Sequence, residues 1–493
     1  MLEDGMVMPN WLMQRAHLTP ERIGLVYNEK EFTFLKLHEE ATLKFLKLKN
    51  FGVEKGDHVA VLMKNSAEMV SLLHAIFYAG AQAVLLNSRL TEEELRWQLE
   101  DAEAKLAVCD ASLIGKIEAS NTSVISLDQL NQAEELAYTP EKEFNLKQTA
   151  SIMYTSGTTG FPKGVQQTFG NHWWSASGSL LNLGLSENDK WLAAVPVFHI
   201  SGLSILFRSV IYGISVVLFD KFDAKSINQT IMTKGITTIS VVGTMLKEMI
   251  EEMGERKYPK TFRCMLLGGG PAAKSMLEEC KEKKIPVFQT FGMTETSSQF
   301  TTLSPEYSIS KLGSAGKPLF PNQIKILGEN GEEKAANEAG EILVKGPNVT
   351  PGYWKREEAT EKNIINGWFR TGDIGLLDEE GFLYVLDRRS DLIISGGENV
   401  YPAEIESVLS GHPSVKEAGV AGASHEKWGE VPHAFIVLSS NAEKQDLIDY
   451  CKEYLAPYKI PAYITFTSEL PRNASRKLLR RTLKEWANED QSR

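Results

Sequence analysis

The chain has 493 residues, of which 42% are hydrophobic and 24% are charged, a composition typical of a globular protein and not of a long disordered segment. Its net charge of -11 argues against a general role in binding nucleic acid or anionic membranes, although a cleft can still collect local positive charge. By the usual domain size of roughly 100–200 residues, this length predicts two to four domains.

The cysteines and the apolar stretches indicate the cellular setting. The four cysteines form no CxxC pair and have no histidine cluster beside them, so the sequence predicts no zinc site and suits a reducing compartment. The first nine residues lack the basic start and apolar core of a signal peptide. The longest apolar stretch, 201–219, contains an arginine and two glycines and falls short of a membrane-spanning helix of about 20 residues. We therefore expect a cytoplasmic protein without membrane insertion, and the sequence leaves a homo-oligomer open.

Short runs rich in β-branched residues alternate with helical patterns through the first half of the chain. The pattern predicts a helix at 67–80 and strands at 58–63, 82–86, 106–109, 124–127, 151–154, 237–242 and 264–267. Such alternation predicts parallel sheets covered by helices on both faces, with ligands at the carboxyl ends of the strands. From residue 313 to residue 385, frequent glycines and short runs predict a more β-rich subdomain with strands at 323–326, 340–344 and 382–386.

A polar stretch at 387–391, with the sequence DRRSD, separates the strand at 382–386 from an apolar run at 392–395 and predicts a domain boundary. The rest of the chain is long enough for a small α+β domain, with predicted helices at 403–410 and 444–455 and strands at 415–420, 434–438 and 464–467. The expected fold class is therefore α/β. Residues 1–389 are predicted to form a large N-terminal domain of stacked αβ subdomains plus a β-rich subdomain, and residues 390–493 a small mobile α+β C-terminal domain.

The segment 154–164, with the sequence YTSGTTGFPKG, combines three glycines with hydroxyl side chains and a lysine directly after a predicted strand. Backbone amides of a glycine-rich turn and neighbouring hydroxyls can hold phosphate oxygens, although the spacing differs from that of the Walker loop. A flexible linker is the alternative, but a position between a strand and an aromatic-rich region argues against it. The residues expected to bind a phosphate are Thr155, Ser156, Gly157, Thr158, Thr159 and Lys163.

The segment 155–164 also resembles the phosphate-binding signature of the adenylate-forming superfamily of enzymes. Segments similar to other motifs of that family follow in the same order, namely FGMTE at 291–295, TGD at 371–373, DRRSD at 387–391, SGGEN at 395–399 and PRNASRK at 471–477. The resemblance covers nearly the whole chain. It implies an enzyme that uses ATP and Mg²⁺ to activate a carboxylic acid as an acyl-adenylate and then transfers the acyl group to a thiol.

The resemblance assigns roles around the nucleotide. Thr294 is expected to contact the α-phosphate during catalysis, and Glu295 is expected to help bind Mg²⁺. Asp373 is expected to accept hydrogen bonds from both ribose hydroxyls, with Arg388 at a second position contacting the ribose. Taken alone, Asp373 is typical of a turn and Glu295 of an exposed helix start, so these roles depend on the ordered set of motifs.

Glycines are expected to bring the backbone close to the ligands. Gly269 and Gly270 follow the predicted strand at 264–267, and a turn without side chains lets a flat ring approach, as in the adenine site of the family. The resemblance places Gly292 beside the acid and Gly396 and Gly397 in the loop that lines the tunnel for the thiol, expected to be that of coenzyme A.

Two positions near the C-terminus carry the remaining roles of the family. Lys477 is expected to be the catalytic lysine, because a cation stabilises charge that develops on the bridging oxygen. Its place in the basic run 472–481 leaves a solvated tail as the alternative. The family usually has glycine just before this lysine, whereas this chain has Arg476, which puts the geometry of the loop in question. Ser390 is expected to be the pivot of a hinge between the domains.

The acid site is predicted around the segment AVPVFHISGL at 194–203, which resembles the family motif that gates the entrance for the carboxylate. It makes His199 a candidate for catalysis and substrate binding and places Ser201 beside the acid. Arg208 follows within an apolar stretch, where an unpaired charge is costly. Either its guanidinium reaches the surface or pairs with an internal acid, or it binds a second carboxylate of the substrate.

The segment HISGLSILFR at 199–208, together with DKFD at 220–223 and TETSSQF at 294–300, resembles the corresponding segments of the family members that join o-succinylbenzoate to coenzyme A in menaquinone biosynthesis. Three alternatives stay open: another aromatic or medium-chain acid, loading of a separate carrier protein, and a nucleotide-binding regulator without catalysis. The intact set of motifs argues against the last of these. The expected partners are small-molecule substrates, without nucleic acid.

Overall fold

The structure of the chain, a computed structural model, describes residues 6–155, 162–269, 274–328, 330–388, 391–395, 398–425, 428–455, 457–472 and 478–490. Up to residue 155 the elements are β1 (Val7–Pro9), α1 (Trp11–Leu18), β2 (Ile23–Tyr27), β3 (Lys30–Thr33), α2 (Phe34–Asn50), β4 (His58–Leu62), α3 (Ala67–Tyr78), β5 (Gln82–Leu85), α4 (Glu92–Asp101), β6 (Leu106–Cys109), β7 (Ser123–Ser126), α5 (Leu127–Gln132), β8 (Glu143–Asn145) and β9 (Thr149–Thr155).

The middle of the chain continues the alternation. Its elements are β10 (Lys163–Thr168), α6 (Phe169–Leu183), β11 (Lys190–Ala193), α7 (Ile200–Tyr212), β12 (Ser215–Leu218), α8 (Ala224–Thr233), β13 (Thr238–Val242), α9 (Gly243–Met253), β14 (Cys264–Gly268), α10 (Lys274–Glu282) and β15 (Val287–Met293).

Strands dominate the part that follows. Its elements are β16 (Ser298–Leu303), β17 (Ser314–Pro318), β18 (Gln323–Leu327), β19 (Gly340–Lys345), α11 (Glu357–Asn363), β20 (Ile364–Ile365), β21 (Trp368–Leu377) and β22 (Leu383–Arg388). The last part contains β23 (Ile393–Ser395), β24 (Glu398–Val400), α12 (Pro402–Ser410), β25 (Val415–His425), β26 (Gly429–Leu438), α13 (Lys444–Tyr454), β27 (Tyr463–Phe466) and α14 (Arg480–Asp490).

Two large sheets carry the first 388 residues. One has the order β10-β9-β5-β4-β6-β7, in which every neighbouring pair is parallel except β10 with β9. The other has the order β18-β19-β21-β22-β17-β16-β15-β14-β13-β11-β12-β2-β3. Neighbouring strands from β15 to β2 in this order are parallel, and the strands beyond either end of that segment pair antiparallel. The parallel part corresponds to the strand–helix alternation of the sequence, and the antiparallel part from β16 to β22 to the predicted β-rich subdomain.

The core lies between the two sheets. A single hydrophobic cluster contains Val61 of β4, Leu72 of α3 and Ile239 of β13, so α3 links both sheets. α3 begins at a cap in which the Ser66 hydroxyl accepts a hydrogen bond from the backbone N–H of Met69, and all its residues except Glu68 are buried. This packing fixes one sheet relative to the other, and with them the strand ends that carry the candidate site.

The last part of the chain forms a sheet of its own, in which β23, β24, β25 and β27 join β26 directly or through a neighbour. Its hydrophobic cluster, which includes Val400, Ile436 and Leu447, is separate from that of the large sheets. The predicted α/β class with a separate small C-terminal domain is thus confirmed. The boundary between residues 389 and 390 stays a prediction, because both lie outside the described residues.

The predicted elements of the first half agree with the structure to within one or two residues at their ends. Two strands near the C-terminus are longer than predicted: β25 continues to His425 and β26 begins at Gly429, because they pair with each other along their full length. The polar stretch DRRSD does not lie wholly between strands, which corrects the sequence prediction. Asp387 and Arg388 belong to β22, where Arg388 stands opposite Asp373. No helix among the described residues is long and apolar enough to cross a membrane.

Candidate active site

The carboxyl ends of β11, β13, β14 and β15 meet at one edge of the large sheet, where ligands bind in folds of this kind. The segment after β11 leads to His199, and Gly269 directly follows β14. Gly292 lies near the end of β15, and Thr294 follows that strand. The order of the strands therefore brings together four residues that the sequence predicts for the acid, adenine and phosphate sites.

Gly292 and Gly269 both occupy positions where a side chain would not fit. A Cβ atom at Gly292 would lie 1.9 Å from the Ser298 carbonyl oxygen, because β16 crosses close to β15 there. Gly269 has φ +86°, a conformation that favours glycine, and a Cβ atom there would lie 3.1 Å from Val242 Cγ1. Both glycines are also exposed, so their backbone is accessible at the edge where a flat ring is expected to lie. Gly270 lies outside the described residues.

The predicted phosphate loop connects two antiparallel strands. Thr155 ends β9 and stands opposite Lys163, the first residue of β10. The sequence predicted a loop through residue 164, but Lys163 and Gly164 already belong to the strand, so Lys163 has a fixed backbone at the base of the hairpin. Ser156, Gly157, Thr158 and Thr159 lie outside the described residues.

A tyrosine that the sequence analysis did not identify joins the hairpin to the predicted metal ligand. The Lys163 ammonium lies 5.2 Å from the centre of the Tyr353 ring, and the Tyr353 hydroxyl donates a hydrogen bond of 3.2 Å to Glu295 Oε1. Burial, followed by the charge of Glu295, raises the pKa of Tyr353, so this hydroxyl stays protonated and remains a donor. Lys163, Tyr353 and Glu295 thus form one cluster, although 190 positions separate Lys163 from Tyr353.

Glu295 is suited to hold Mg²⁺ beside a nucleotide. Its side chain is buried, contrary to the exposed helix start that its local sequence alone suggests. Magnesium commonly binds one or two protein carboxylates together with substrate phosphates and water, so one fixed carboxylate beside a lysine-bearing hairpin fits that requirement. The described residues contain no cluster of three or more metal-ligating side chains.

His199 directly precedes α7 and caps its N-terminus without a hydrogen bond from its side chain. Its ring lies 4.7 Å from that of Phe198, and burial, followed by the charge of Arg89, lowers the pKa of His199 to about 4. The imidazole is therefore neutral near pH 7 and does not attract an acid by charge. Ser201, in the first turn of α7, is exposed at the same end of the helix.

Arg208 lies deeper in the core than His199, about 13 Å further along α7. The side chain is 1% exposed, and its guanidinium lies 5.1 Å from the centre of the Trp191 ring. Burial lowers its pKa, and Tyr212 opposes this effect through charge and a hydrogen bond. Nε and Nη2 have no hydrogen-bond partner among the described residues, and no described Asp or Glu forms an ion pair with it. Pairing with an internal acid, one of the interpretations, is therefore absent from the described part of the chain.

The predicted ribose site lies on β21 and β22. Asp373 is half-buried, and its backbone N–H donates to Thr371 Oγ1 at 3.0 Å, while that hydroxyl donates to the Ile342 carbonyl at 2.8 Å. Arg388 stands directly opposite Asp373 in the antiparallel register. Two residues that the sequence separates by 15 positions are thus neighbours on adjacent strands.

The remaining predicted residues, Ser390, Gly396, Gly397 and Lys477, lie outside the described residues, as does Arg476. The two ends of the segment that contains Lys477 are paired with each other. Arg472 and Leu478 form an isolated antiparallel β-bridge, and the Leu479 N–H donates a hydrogen bond of 2.9 Å to the Pro471 carbonyl. Charged pairs hold both flanks. Arg472 Nη2 lies 2.7 Å from Glu417 Oε2, and Arg480 Nη2 lies 2.6 Å from Glu406 Oε2.

Comparison with known proteins establishes the class of the chain. The model of the AMP-binding enzyme family matches residues 12–354, and that of the AMP-binding enzyme C-terminal domain matches residues 404–477. The chain therefore belongs to the AMP-binding enzyme family, in agreement with the resemblance seen in its motifs.

Individual relatives are similar along nearly the whole chain. The 2-succinylbenzoate–CoA ligase of Geobacillus kaustophilus (strain HTA426) is 58% identical over 479 residues, covering 97% of both chains. The o-succinylbenzoate CoA synthetase (MenE) from Bacillus subtilis, in complex with the acyl-adenylate intermediate OSB-AMP, has a TM-score of 0.93 at 53% identity and covers 97% of this chain and 98% of that chain. A double mutant of the same Bacillus subtilis enzyme, bound with its product analogue OSB-NCoA, has a TM-score of 0.77 at 53% identity and covers 97% and 99%.

Proposed function

We propose that this chain joins o-succinylbenzoate to coenzyme A, using ATP and Mg²⁺, through an acyl-adenylate intermediate in menaquinone biosynthesis. The observation that carries the proposal is the 58% identity, along 97% of both chains, to a 2-succinylbenzoate–CoA ligase. The site is compatible with this chemistry, because a buried carboxylate, a lysine-bearing hairpin and an exposed glycine backbone meet at the carboxyl ends of parallel strands.

In the first step, a carboxylate oxygen of the acid attacks the α-phosphorus of ATP, and the bond to the bridging oxygen breaks, so that pyrophosphate leaves. The Thr294 hydroxyl donates to the α-phosphate, and Lys477 stabilises the negative charge that grows on the bridging oxygen. Asp373 and Arg388 hold the ribose. Thr155 and Lys163, with the hairpin residues between them, hold the outgoing phosphates.

Glu295 is the residue proposed to hold Mg²⁺, and the Tyr353 hydroxyl keeps one of its oxygens in place through the 3.2 Å hydrogen bond. When bound, the metal neutralises charge on the phosphates. Because Tyr353 also lies against Lys163, a change at this tyrosine acts on both the metal ligand and the phosphate hairpin.

In the second step, the thiol sulfur of coenzyme A attacks the acyl carbon, the bond between that carbon and the phosphate oxygen breaks, AMP leaves and the thiol proton is released. Gly396 and Gly397 line the path of the thiol. We propose that the C-terminal domain turns about Ser390 between the steps. In support, this chain superposes better on the Bacillus subtilis complex with the adenylate, at a TM-score of 0.93, than on the one with the product analogue, at 0.77, although both are 53% identical to it.

The choice of acid is proposed to depend on α7. Neutral His199 and exposed Ser201 lie at the entrance, and Arg208 provides a buried cation with free donors among the described residues for the second carboxylate of o-succinylbenzoate. A buried guanidinium gains stability when it binds a carboxylate through charge-assisted hydrogen bonds. A monocarboxylic acid leaves that charge unmatched.

The partners proposed are small molecules, in the cytoplasm, where ATP and coenzyme A are available. All four cysteines are buried and free, which suits a reducing compartment. Sedimentation velocity of the purified chain measures whether it self-associates.

A panel of acids tests the proposal. Purified enzyme receives ATP and Mg²⁺ with o-succinylbenzoate, with 4-oxo-4-phenylbutanoate, which lacks the ring carboxylate, or with octanoate, and both pyrophosphate and CoA thioester are measured. We expect thioester from o-succinylbenzoate at a kcat/KM well above that of the other two acids. Equal kcat/KM values for octanoate and o-succinylbenzoate would contradict o-succinylbenzoate as the substrate. Pyrophosphate release without any CoA thioester would point to a carrier protein as acceptor instead.

A further inference from the structure

Residues 294–297, here called the phosphate turn, connect β15 to β16 and contain both Thr294 and Glu295. The backbone is unusual where the turn meets β16. Ser297, the last residue of the turn, has φ 51°, and Ser298, the first residue of β16, has φ 98°, and both values lie in a region that favours glycine. Such conformations are strained and persist only where the surroundings hold them. The phosphate turn therefore needs contacts from outside its own hairpin.

Those contacts reach every carbonyl oxygen of the turn. Each of its four consecutive carbonyls accepts a hydrogen bond from a residue more than 50 positions away in the sequence. The pairs are Gln167 Nε2 to Thr294 O at 2.9 Å, Thr350 N–H to Glu295 O at 2.7 Å, Asn348 Nδ2 to Thr296 O at 2.8 Å and Ser175 Oγ to Ser297 O at 2.6 Å. All four donor residues are buried.

The orientation of the Gln167 amide is fixed by a second set of contacts. Gln167 Oε1 accepts from the Ser151 hydroxyl at 2.7 Å, and Ser151 Oγ lies 3.1 Å from His172 Nε2. Because the Ser151 proton is used for Gln167, the hydroxyl must accept from His172, whose Nε2 then carries the hydrogen. His172 Nδ1 has no partner among the described residues, so no contact on that side of the ring opposes this tautomer. His172 thus donates to Ser151, and Ser151 donates to Gln167 Oε1. This orients the amide so that Gln167 Nε2 donates to the Thr294 carbonyl.

We propose that Gln167, Ser175 and Asn348 are positioning residues for adenylate formation, because they fix the phosphate turn and hence the places of Thr294 and Glu295 relative to bound MgATP. They touch neither substrate nor metal in this role. The inference rests on the proposed function. Loss of a residue that orients a metal ligand typically lowers metal affinity or activity by about 10–100-fold.

The test compares Gln167→Met and Ser175→Ala with the wild type. Calorimetry without acid gives the Mg²⁺ concentration at which ATP binding is half-maximal, and single-turnover release of pyrophosphate gives the rate of adenylate formation. In Gln167→Met we expect the Mg²⁺ midpoint to rise and the rate of adenylate formation to fall, each by about 10-fold or more. Ser175→Ala should change both quantities in the same direction but by less. In both variants KM for the acid should stay within about twofold of the wild-type value, because the acid site is not changed.

Two neighbouring side chains provide matched controls. Gln166 is next to Gln167 on β10, but its side chain accepts a hydrogen bond from Thr149, and Ser177 lies on α6 but donates to the Trp173 carbonyl. Gln166→Met and Ser177→Ala should keep the wild-type Mg²⁺ midpoint.

Two results would overturn the inference: a folded Gln167→Met and a folded Ser175→Ala that both keep the wild-type midpoint and rate, or controls that shift as much as the variants. If Gln167→Met does not fold, the Mg²⁺ midpoint and the rate of Ser175→Ala alone decide whether the inference holds. Failure of the proposed function is recognised separately, since the wild type would then bind MgATP but release no pyrophosphate with o-succinylbenzoate.

Discussion

At the scale of single residues, burial decides what each candidate side chain can do. Arg208 keeps a guanidinium in the core with two nitrogens that lack partners among the described residues, an arrangement that costs free energy in the absence of a ligand. His199, in contrast, is uncharged near neutral pH because burial lowers its pKa to about 4. The proposed acid site thus combines a buried cation, Arg208, with a neutral side chain, His199, at its entrance.

Arg208→Leu should weaken binding of o-succinylbenzoate without destabilising the free enzyme. A hydrogen bond to a charged group is worth about 1.5–3 kcal/mol, so KM for this acid should rise roughly 10–150-fold, whereas KM for ATP should not change. Replacing a buried, partly unpaired charge by an apolar side chain is often neutral or stabilising, so the melting temperature without ligand should not fall. Steady-state kinetics with the diacid and with 4-oxo-4-phenylbutanoate, together with thermal denaturation, provide the measurements. A lower melting temperature and equal losses for both acids would make Arg208 a structural residue.

Lys477→Ala should abolish adenylate formation and spare transfer to coenzyme A from supplied acyl-adenylate. The lysine is proposed to act on charge that appears in the first transition state, so kcat of adenylation should fall about 10²–10³-fold with little change in KM. The control is Lys484→Ala on the same domain, where Lys484 forms an ion pair of 2.7 Å with Glu430. If Lys477→Ala adenylates at the rate of Lys484→Ala, the basic segment is a solvated tail.

At the scale of elements, β22 determines where a hinge can begin. Its last residue, Arg388, is still paired with β21, and β23 starts the other sheet at Ile393. Between these two strands the chain passes from the large sheet to the sheet of the C-terminal domain. A rotation about this short connection would move the second sheet while the pairing of Asp373 with Arg388, the proposed ribose site, stays intact.

Ser390→Pro should slow thioester formation far more than adenylate formation. Proline fixes φ near -65°, so a backbone that must rotate between the two steps loses one of its conformations. Single-turnover measurements of pyrophosphate release and of CoA transfer separate the steps. Ser390→Ala, which keeps φ free, should leave both rates near those of the wild type. Equal slowing of the two steps by proline would argue against a pivot at this position.

At the scale of the whole molecule, buried histidines couple stability to pH. Burial, together with the charge of a neighbour, lowers the pKa of His74 to about 4 and that of His172 to about 3, and both stay neutral in the folded chain. In the unfolded chain a histidine has a pKa near 6.5. Between about pH 6.5 and pH 4 the unfolded chain therefore binds more protons, so stability is complete above this window and declines as the pH falls through it.

His74→Leu should make the enzyme less sensitive to acid. Each histidine held neutral contributes up to about 1.4 kcal/mol of unfolding free energy per pH unit within the window. The fall in melting temperature from pH 7 to pH 5 should therefore be smaller in His74→Leu than in the wild type. His17→Leu, at an exposed position of α1, is the control for loss of a histidine. An unchanged fall in His74→Leu would show that its burial does not couple to pH.

The sequence by itself determined the class of fold, most strands and helices, and the ordered motifs that identify the family. These signals are local: apolar periodicity reports which face of an element is buried, and motifs such as TGD or YTSGTTGFPKG occupy a few adjacent positions. Local signals also led to errors, as at Lys163 and Arg388. The sequence placed these residues in a loop and in a linker, whereas both are paired in strands with the preceding strands β9 and β21.

Only the tertiary structure decided which residues surround the motifs. Gln167, Ser175 and Asn348 have no local pattern that marks them, and they meet at the phosphate turn because β10, α6 and the segment after β19 pack around it. The burial of Glu295 and the contact of Tyr353 with both Glu295 and Lys163 arise in the same way. Hydrogen bonds between positions more than 50 residues apart depend on how strands and helices pack, and a short stretch of sequence does not encode that arrangement.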